Sequence, residues 1–248
     1  MKTNVVAVIN QKGGTGKTTT TINLGSALSK LGKKVLLLDL DPQSNLSYSL
    51  AVANPEATLA DVFQGDKKLA DILVEKDGLW IAPGSNELVD IEISLVTQPE
   101  REKFLKNIIA QMKGFDFVFI DCPPSLSVLT LNALTAAQEV LIPLQMEVLT
   151  LQGLDQIMNT VEKVQKTFNP KLKIKGIVVV MFDVRRKLSQ EVLEYLHENV
   201  KHKVFKSQVR MNVKLAEAPS FGKSVLDYDA SSNGARDYTA LAAEYLQG

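Results

Sequence analysis

The apolar run Val5-Val6-Ala7-Val8-Ile9 leads almost directly into Lys12-Gly13-Gly14-Thr15-Gly16-Lys17-Thr18-Thr19, and this junction limits the folds open to the chain more than any other stretch. A strand enters a glycine-rich turn and a helix takes over near Lys17, so the backbone can curl around an anion with several N–H groups pointing inward. Lys17 can then sit between outer phosphates, and the Thr18 hydroxyl can hold Mg²⁺. The usual loop of this kind has a glycine five residues before Gly16. Here Gln11 stands in that place, and a second lysine, Lys12, lies inside the loop.

Further apolar runs recur along the chain at Val35–Leu38, Leu79–Ala82, Phe117–Ile120, Val140–Leu144 and Ile177–Met181. They are rich in Val, Ile and Phe and do not alternate with polar residues, as expected of parallel strands covered on both faces. The segments between them are of helix length. One, predicted over Gln152–Phe168, keeps Leu154, Ile157, Met158, Val161 and Val164 at 3–4 spacing and stops at Asn169-Pro170. Strands alternating with helices imply right-handed crossovers, hence an α/β fold with a doubly wound, mostly parallel sheet flanked by helices. No repeat, linker or low-complexity tract interrupts the chain, so residues 1–248 read as one domain. The last predicted helix, Ala235–Leu246, places Tyr238, Leu241, Ala242, Tyr245 and Leu246 as a packing stripe; a membrane-surface helix would carry lysines opposite, and only Arg236 is there.

Composition removes several classes of function. An apolar content of 45% supplies a sizeable core, yet no apolar run reaches the length of a membrane span. The N-terminus enters its first strand without the zones of a leader peptide. A lone cysteine, Cys122, leaves no disulfide framework and no Cys-based metal cluster within one chain. The expected compartment is the cytoplasm. Net charge is zero but unevenly spread: Lys171–Lys223 holds twelve Lys/Arg against five Asp/Glu, and Lys201–Lys223 holds six against one. Such a run is a solvated basic face or a footprint for a polyanion.

In an open parallel sheet, function gathers at the carboxyl ends of the strands. Three predicted strands end in suitable chemistry: the glycine loop, Asp39-Leu40-Asp41-Pro42-Gln43, and Asp121-Cys122-Pro123-Pro124. An aspartate after a strand such as Asp121 can bind Mg²⁺ through water beside a nucleotide phosphate. Asp39 and Asp41, two apart, share a face if strand geometry persists. One could then help the metal while the other orients an attacking water.

On these residues the chain resembles the ParA family of partition ATPases, within the deviant Walker A group of phosphate-loop NTPases that includes MinD and the nitrogenase iron protein. The matching stretches are Asn10–Thr19, Leu38–Gln43, Asp121–Leu126, Leu131–Ala137 and Asn212–Ser220, which together span most of the chain. The resemblance implies an ATP-sandwich homodimer using ATP and Mg²⁺, with Lys12, Lys17 and Asp41 catalytic. Lys12 would reach the phosphates of the partner's ATP, as an arginine finger does, and Asp41 would orient the lytic water. Thr18 would bind Mg²⁺ directly, with Asp39 and Asp121 supporting it through water. The nucleotide would be cradled by Lys12, Gly13, Gly14, Thr15, Gly16, Lys17, Thr18 and Thr19. Glu147 would approach the ribose, and Met181, Phe182, Asp183, Arg210, Met211 and Asn212 would surround adenine.

The same resemblance implies sequence-independent binding of double-stranded DNA after dimerisation, and the basic excess fits it independently. Lys206, Arg210, Lys214, Lys223 and Arg236 are the candidate contacts. The family often reads Pro-Arg-Asn before Val213, whereas here the arginine is shifted to Arg210-Met211-Asn212. No helix-turn-helix precedes the loop, which places the chain with short, Soj-like members. The expected activity is slow ATP hydrolysis, stimulated by a ParB-like partner, that segregates a chromosome or plasmid over the nucleoid. The alternatives are positioning of a protein cargo such as a chemoreceptor cluster, a MinD-like membrane-cycling ATPase, an iron–sulfur reductase and a non-hydrolysing scaffold. The MinD-like reading needs a lysine-bearing amphipathic tail; the iron–sulfur reductase needs two cysteines per subunit, and Cys122 reads as a small apolar filler. Intact Lys12, Lys17 and Asp41 argue against the last.

Overall fold

The computed structural model describes residues 3–52 and 54–247. Seven strands form one sheet: β1 (Asn4–Val8), β2 (Val35–Asp39), β3 (Val74–Lys76), β4 (Leu79–Ala82), β5 (Phe117–Asp121), β6 (Glu139–Gln145) and β7 (Lys173–Val180). Their order is β3-β4-β2-β5-β1-β6-β7, and every pairing is parallel except β3 with β4. β3 is the strand the apolar runs do not announce. Its Val-Glu-Lys is too short and polar to register, and it forms as an edge hairpin on β4.

The helices are α1 (Lys17–Lys30), α2 (Asn45–Ser49), α3 (Leu59–Gln64), α4 (Leu88–Leu95), α5 (Phe104–Ile109), α6 (Val128–Ala136), α7 (Val148–Thr167), α8 (Lys187–Asn199), α9 (Val213–Glu217), α10 (Val225–Tyr228) and α11 (Asn233–Gln247). Two 3₁₀ turns, Leu69–Ile72 and Ala218–Phe221, complete the set. α7 begins four residues before the expected Gln152 and α11 two before the expected Ala235.

The inner strands feed two cores, which is why their sequences do not alternate. Val5, Ala7 and Ile9 of the β1 run face α3–α8, whereas Val6 and Val8 face α1, α10 and α11. Both faces exclude water, so every position is apolar. α11 buries Tyr238, Leu241, Ala242 and Tyr245 against the second core, where Tyr245 stacks on Phe205. Its apolar face is thus spent on packing. No helix among the described residues is long and apolar enough to cross a membrane.

Candidate nucleotide site

β1 lies between β5 and β6, so its carboxyl end opens beside that of β5. The register sets Val8 against Asp121, and Asp121 against Asp39 on the next strand. The glycine loop rises from this point into α1. Gly16 is the N-cap of α1, with no side-chain cap and no acidic residue in the first turn. The first N–H groups of the helix are therefore left open to an anion, favoured by the helix dipole. Gly14 and Gly16 hold φ of +73° and +76°, a left-handed geometry that explains glycine at both.

Lys17 is buried, and its ammonium is held below the usual lysine range by burial, against the pull of Asp121 and Asp41. Its one hydrogen bond is long, 3.4 Å to the Lys12 carbonyl oxygen. A buried cation so weakly engaged fits oxygens of a phosphate chain. Asp121 and Asp39 are wholly buried. Thr18 Oγ1 donates to Asp121 Oδ2 at 2.6 Å, while Ser47 donates both its N–H (2.8 Å) and its hydroxyl (2.6 Å) to Asp39 Oδ2. The other oxygen of each carboxylate, Asp121 Oδ1 and Asp39 Oδ1, has no partner among the described residues. Burial, with each carboxylate near another, raises both above the usual range, Asp39 to about 6. A threonine hydroxyl and two orphaned carboxylate oxygens form a hard-oxygen donor set that fits Mg²⁺ and would be relieved by it.

Leu36, Leu38 and Leu40 all enter one core, so alternation outlasts β2 and puts Asp39 and Asp41 on the opposite side together. Asp41 is nearly buried; its Oδ1 accepts the Gln43 N–H at 2.9 Å, which fixes it at the turn. Asn10 anchors the start of the loop: its Nδ2 donates to the Pro143 carbonyl (2.7 Å) and its Oδ1 accepts the Lys12 N–H (3.0 Å). The Lys12 side chain leaves the loop and donates to Glu147 Oε2. Cys122 is wholly buried and its thiol is pushed up, as suits a core filler.

Beside the loop opens a cavity of about 230 Å³ walled by Gly16, Thr19, Met181, Arg210, Met211 and Tyr238, among others including Asn212. The expected adenine set divides there. Met181, Arg210, Met211 and Asn212 line the cavity, whereas Phe182 and Asp183 do not. Phe182 packs into the core on the α3–α8 side, because Met181, at φ +52° just past the end of β7, interrupts the strand alternation and reverses the side on which Phe182 falls. Asp183 instead accepts both Nε and Nη2 of Arg185 at 2.9 Å in a surface turn. A second cavity of about 280 Å³, walled by Val96, Arg101, Leu126, Thr130, Leu134 and Thr160 among others, draws none of its lining from the glycine loop.

The candidate DNA residues also divide. Lys206, Lys223 and Arg236 are exposed and carry no ion pair among the described residues. Arg210 is chelated by Asp237, with contacts of 2.6–3.2 Å, and Lys214 meets Glu217 at 2.8 Å. The charge of these last two is already met by a carboxylate inside the fold.

Three residues missed in the sequence complete the site: Ser47, which holds Asp39; Asp237, which holds Arg210; and Tyr238, whose hydroxyl meets Thr20 Oγ1 of α1 at 3.1 Å. Ser47 lay within reach, eight residues past Asp39 in a helix-length stretch. Asp237 and Tyr238 carry no local signal.

Residues 3–174 match the family described as AAA domain. The chromosome partitioning protein ParA of Caulobacter vibrioides is 43% identical over 98% of this chain and 93% of its own length. The chromosome-partitioning ATPase Soj of Treponema pallidum is 46% identical over 96% and 95%. A solved structure described as cobyrinic acid a,c-diamide synthase from Mycobacterium smegmatis, with bound ATP analogue and magnesium, superposes with a TM-score of 0.87 at 37% identity, covering 99% of this chain and 95% of that one. On this identity, sustained over almost the whole chain, the protein belongs to the ParA/Soj family of chromosome-partitioning ATPases.

Proposed function

We propose that this chain is an ATP-dependent, dimerising, DNA-binding ATPase that segregates a chromosome or plasmid over the nucleoid, its slow hydrolysis stimulated by a ParB-like partner. The observation that carries the reading is the pair of adjacent buried carboxylates, Asp39 and Asp121, each with an unpartnered oxygen beside Thr18 and Lys17. So much buried negative charge is tolerable in a site built to receive a cation and a phosphate chain.

Each residue then has one task. Lys17 and the open N–H groups of α1 hold the outer phosphates; Thr18, Asp39 and Asp121 hold Mg²⁺, which when bound neutralises charge on the phosphate oxygens. Asp41, fixed by the Gln43 N–H, orients the attacking water. The ring sits in the cavity against Met181, Met211 and Asn212. Lys12, turned away from Lys17, acts on the partner's nucleotide, and Glu147, its present partner, lies on the same face. The chain's likeness to the chromosome-partitioning proteins of Caulobacter vibrioides and Treponema pallidum supports a chromosome as cargo.

The test combines ATP turnover with a gel shift on random-sequence duplex. Retarded DNA with ATP and Mg²⁺, but not with ADP, is the expected result. Absence of any shift at low salt with ATP rejects the DNA part of the reading, and absence of turnover with a ParB-like protein and DNA rejects the ATPase part.

A further inference from the structure

The basic C-terminal segment carries an exposed aromatic stack that the nucleotide site does not use. The 3₁₀ turn Ala218–Phe221 closes on Gly222 and leaves Phe221 62% exposed. From behind, the Tyr228 ring stacks on it, with centroids 4.8 Å apart and planes inclined by 27°. Tyr228 is itself fixed. Its hydroxyl donates to Glu217 Oε2 at 2.9 Å, the same oxygen accepts from Lys214 Nζ at 2.8 Å, and that ammonium lies 5.5 Å from the ring centroid. One face of Phe221 is therefore taken and the other meets solvent. Lys223, two residues on, is exposed and unpaired among the described residues.

A large apolar ring held rigid in water marks a contact. Its setting chooses the kind. Of the six basic residues between Lys201 and Lys223, Arg210, Lys214 and Lys203 meet carboxylates, while Lys201, Lys206 and Lys223 carry no ion pair among the described residues; Glu217, the one acidic residue of the stretch, is engaged by Lys214 and Tyr228. A polyanion that also presents flat apolar faces is complementary to both parts of this surface. Nucleic acids have both, and proteins meet them with cations on phosphates and rings on bases or sugars.

We propose that Phe221 is a nucleic-acid contact, covering a base or sugar face while Lys223 meets a neighbouring phosphate. The proposal rests on the DNA-binding reading above and adds to it an apolar contact that salt does not screen. Tyr228 is the backing that keeps the Phe221 ring in place.

The test titrates a short random-sequence duplex, with ATP and Mg²⁺, over a range of salt for wild type, Phe221→Ala, Phe221→Leu and Lys223→Ala. Phe221→Ala is expected to weaken binding by about fivefold or more at every salt concentration, with an unchanged slope of log affinity against log salt, and Phe221→Leu to fall between. Lys223→Ala is expected to reduce that slope by about one unit. Phe221 is exposed, so its variants should melt as wild type does, and this is checked first. If Phe221→Ala binds duplex as tightly as wild type, the proposal fails and the ring belongs to a protein contact. If wild type binds no duplex at all, the DNA reading itself fails, a result that the variants cannot mimic.

Discussion

The Lys12 ammonium lies 2.6 Å from the Glu147 carboxylate of its own chain, and both side chains are about half exposed, at 48% and 46%. An ion pair so open to water contributes at most about 1 kcal/mol. It parks the lysine without committing it, and a nucleotide on a facing subunit can recruit the charge at little cost.

Substituting Lys12→Ala should therefore leave thermal stability nearly unchanged while lowering partner-stimulated hydrolysis by roughly a thousandfold, as loss of an in-trans cation does. Nucleotide affinity of the monomer should stay within a few fold, because Lys17 and the α1 N-terminus hold the phosphates. Normal turnover in the variant would sink the in-trans role.

Asp41 accepts the Gln43 N–H and is buried beside Asp39, so Asp41→Ala removes the group proposed to orient the attacking water without opening the core. The expected product is a stable ATP-bound dimer, seen by size-exclusion chromatography with light scattering, with turnover reduced about a hundredfold or more. A variant that remains monomeric with ATP would count against the assignment.

Asp39, raised to about 6 from an ordinary 3.8, makes the nucleotide-free and metal-free protein sensitive to pH. The folded state keeps a proton that the unfolded chain has released, so stability is greatest below about pH 4 in this respect and falls as pH rises through 6, by about 3 kcal/mol for this group. Asp121, raised by burial and by Asp39, extends the loss upward. Melting curves in chelator should show the decline from this pair, and Asp39→Asn should flatten it. An unchanged pH profile in that variant would refute the account.

Arg210 and Lys206 test how charge is counted. Arg210 is chelated by Asp237, whereas Lys206 is exposed and unpaired among the described residues. Lys206→Ala should lower the salt slope of DNA binding by about one unit, and Arg210→Ala by much less. Asp237→Ala, which strands the Arg210 guanidinium and its N–H, should cost about 1–3 kcal/mol in urea unfolding. Equal slopes for the two basic variants would mean that the ion pair opens on DNA.

Much of this site could be read before any fold was known, because its parts are local. Gly14, Gly16, Lys17 and Thr18 follow one another at a strand-to-helix turn, and the turn itself demands glycine where φ is positive. Asp39 and Asp121 terminate apolar runs, so their place at strand ends followed from pattern alone. The short edge strand β3 escaped because three residues carry no period.

What the sequence determined by itself was the class of fold and the chemistry at the ends of the first, second and fifth strands, since both are written in contiguous residues. The tertiary structure alone decided which charges remain free and which side of the sheet each side chain meets. Arg210 and Asp237 are 27 positions apart, yet only their packing reveals that the arginine is neutralised. Phe182 follows Met181 directly, yet the left-handed backbone of Met181 breaks the strand alternation and sends Phe182 to the opposite core. Side-chain charge and facing depend on neighbours distant in the chain, and only folding brings those neighbours together.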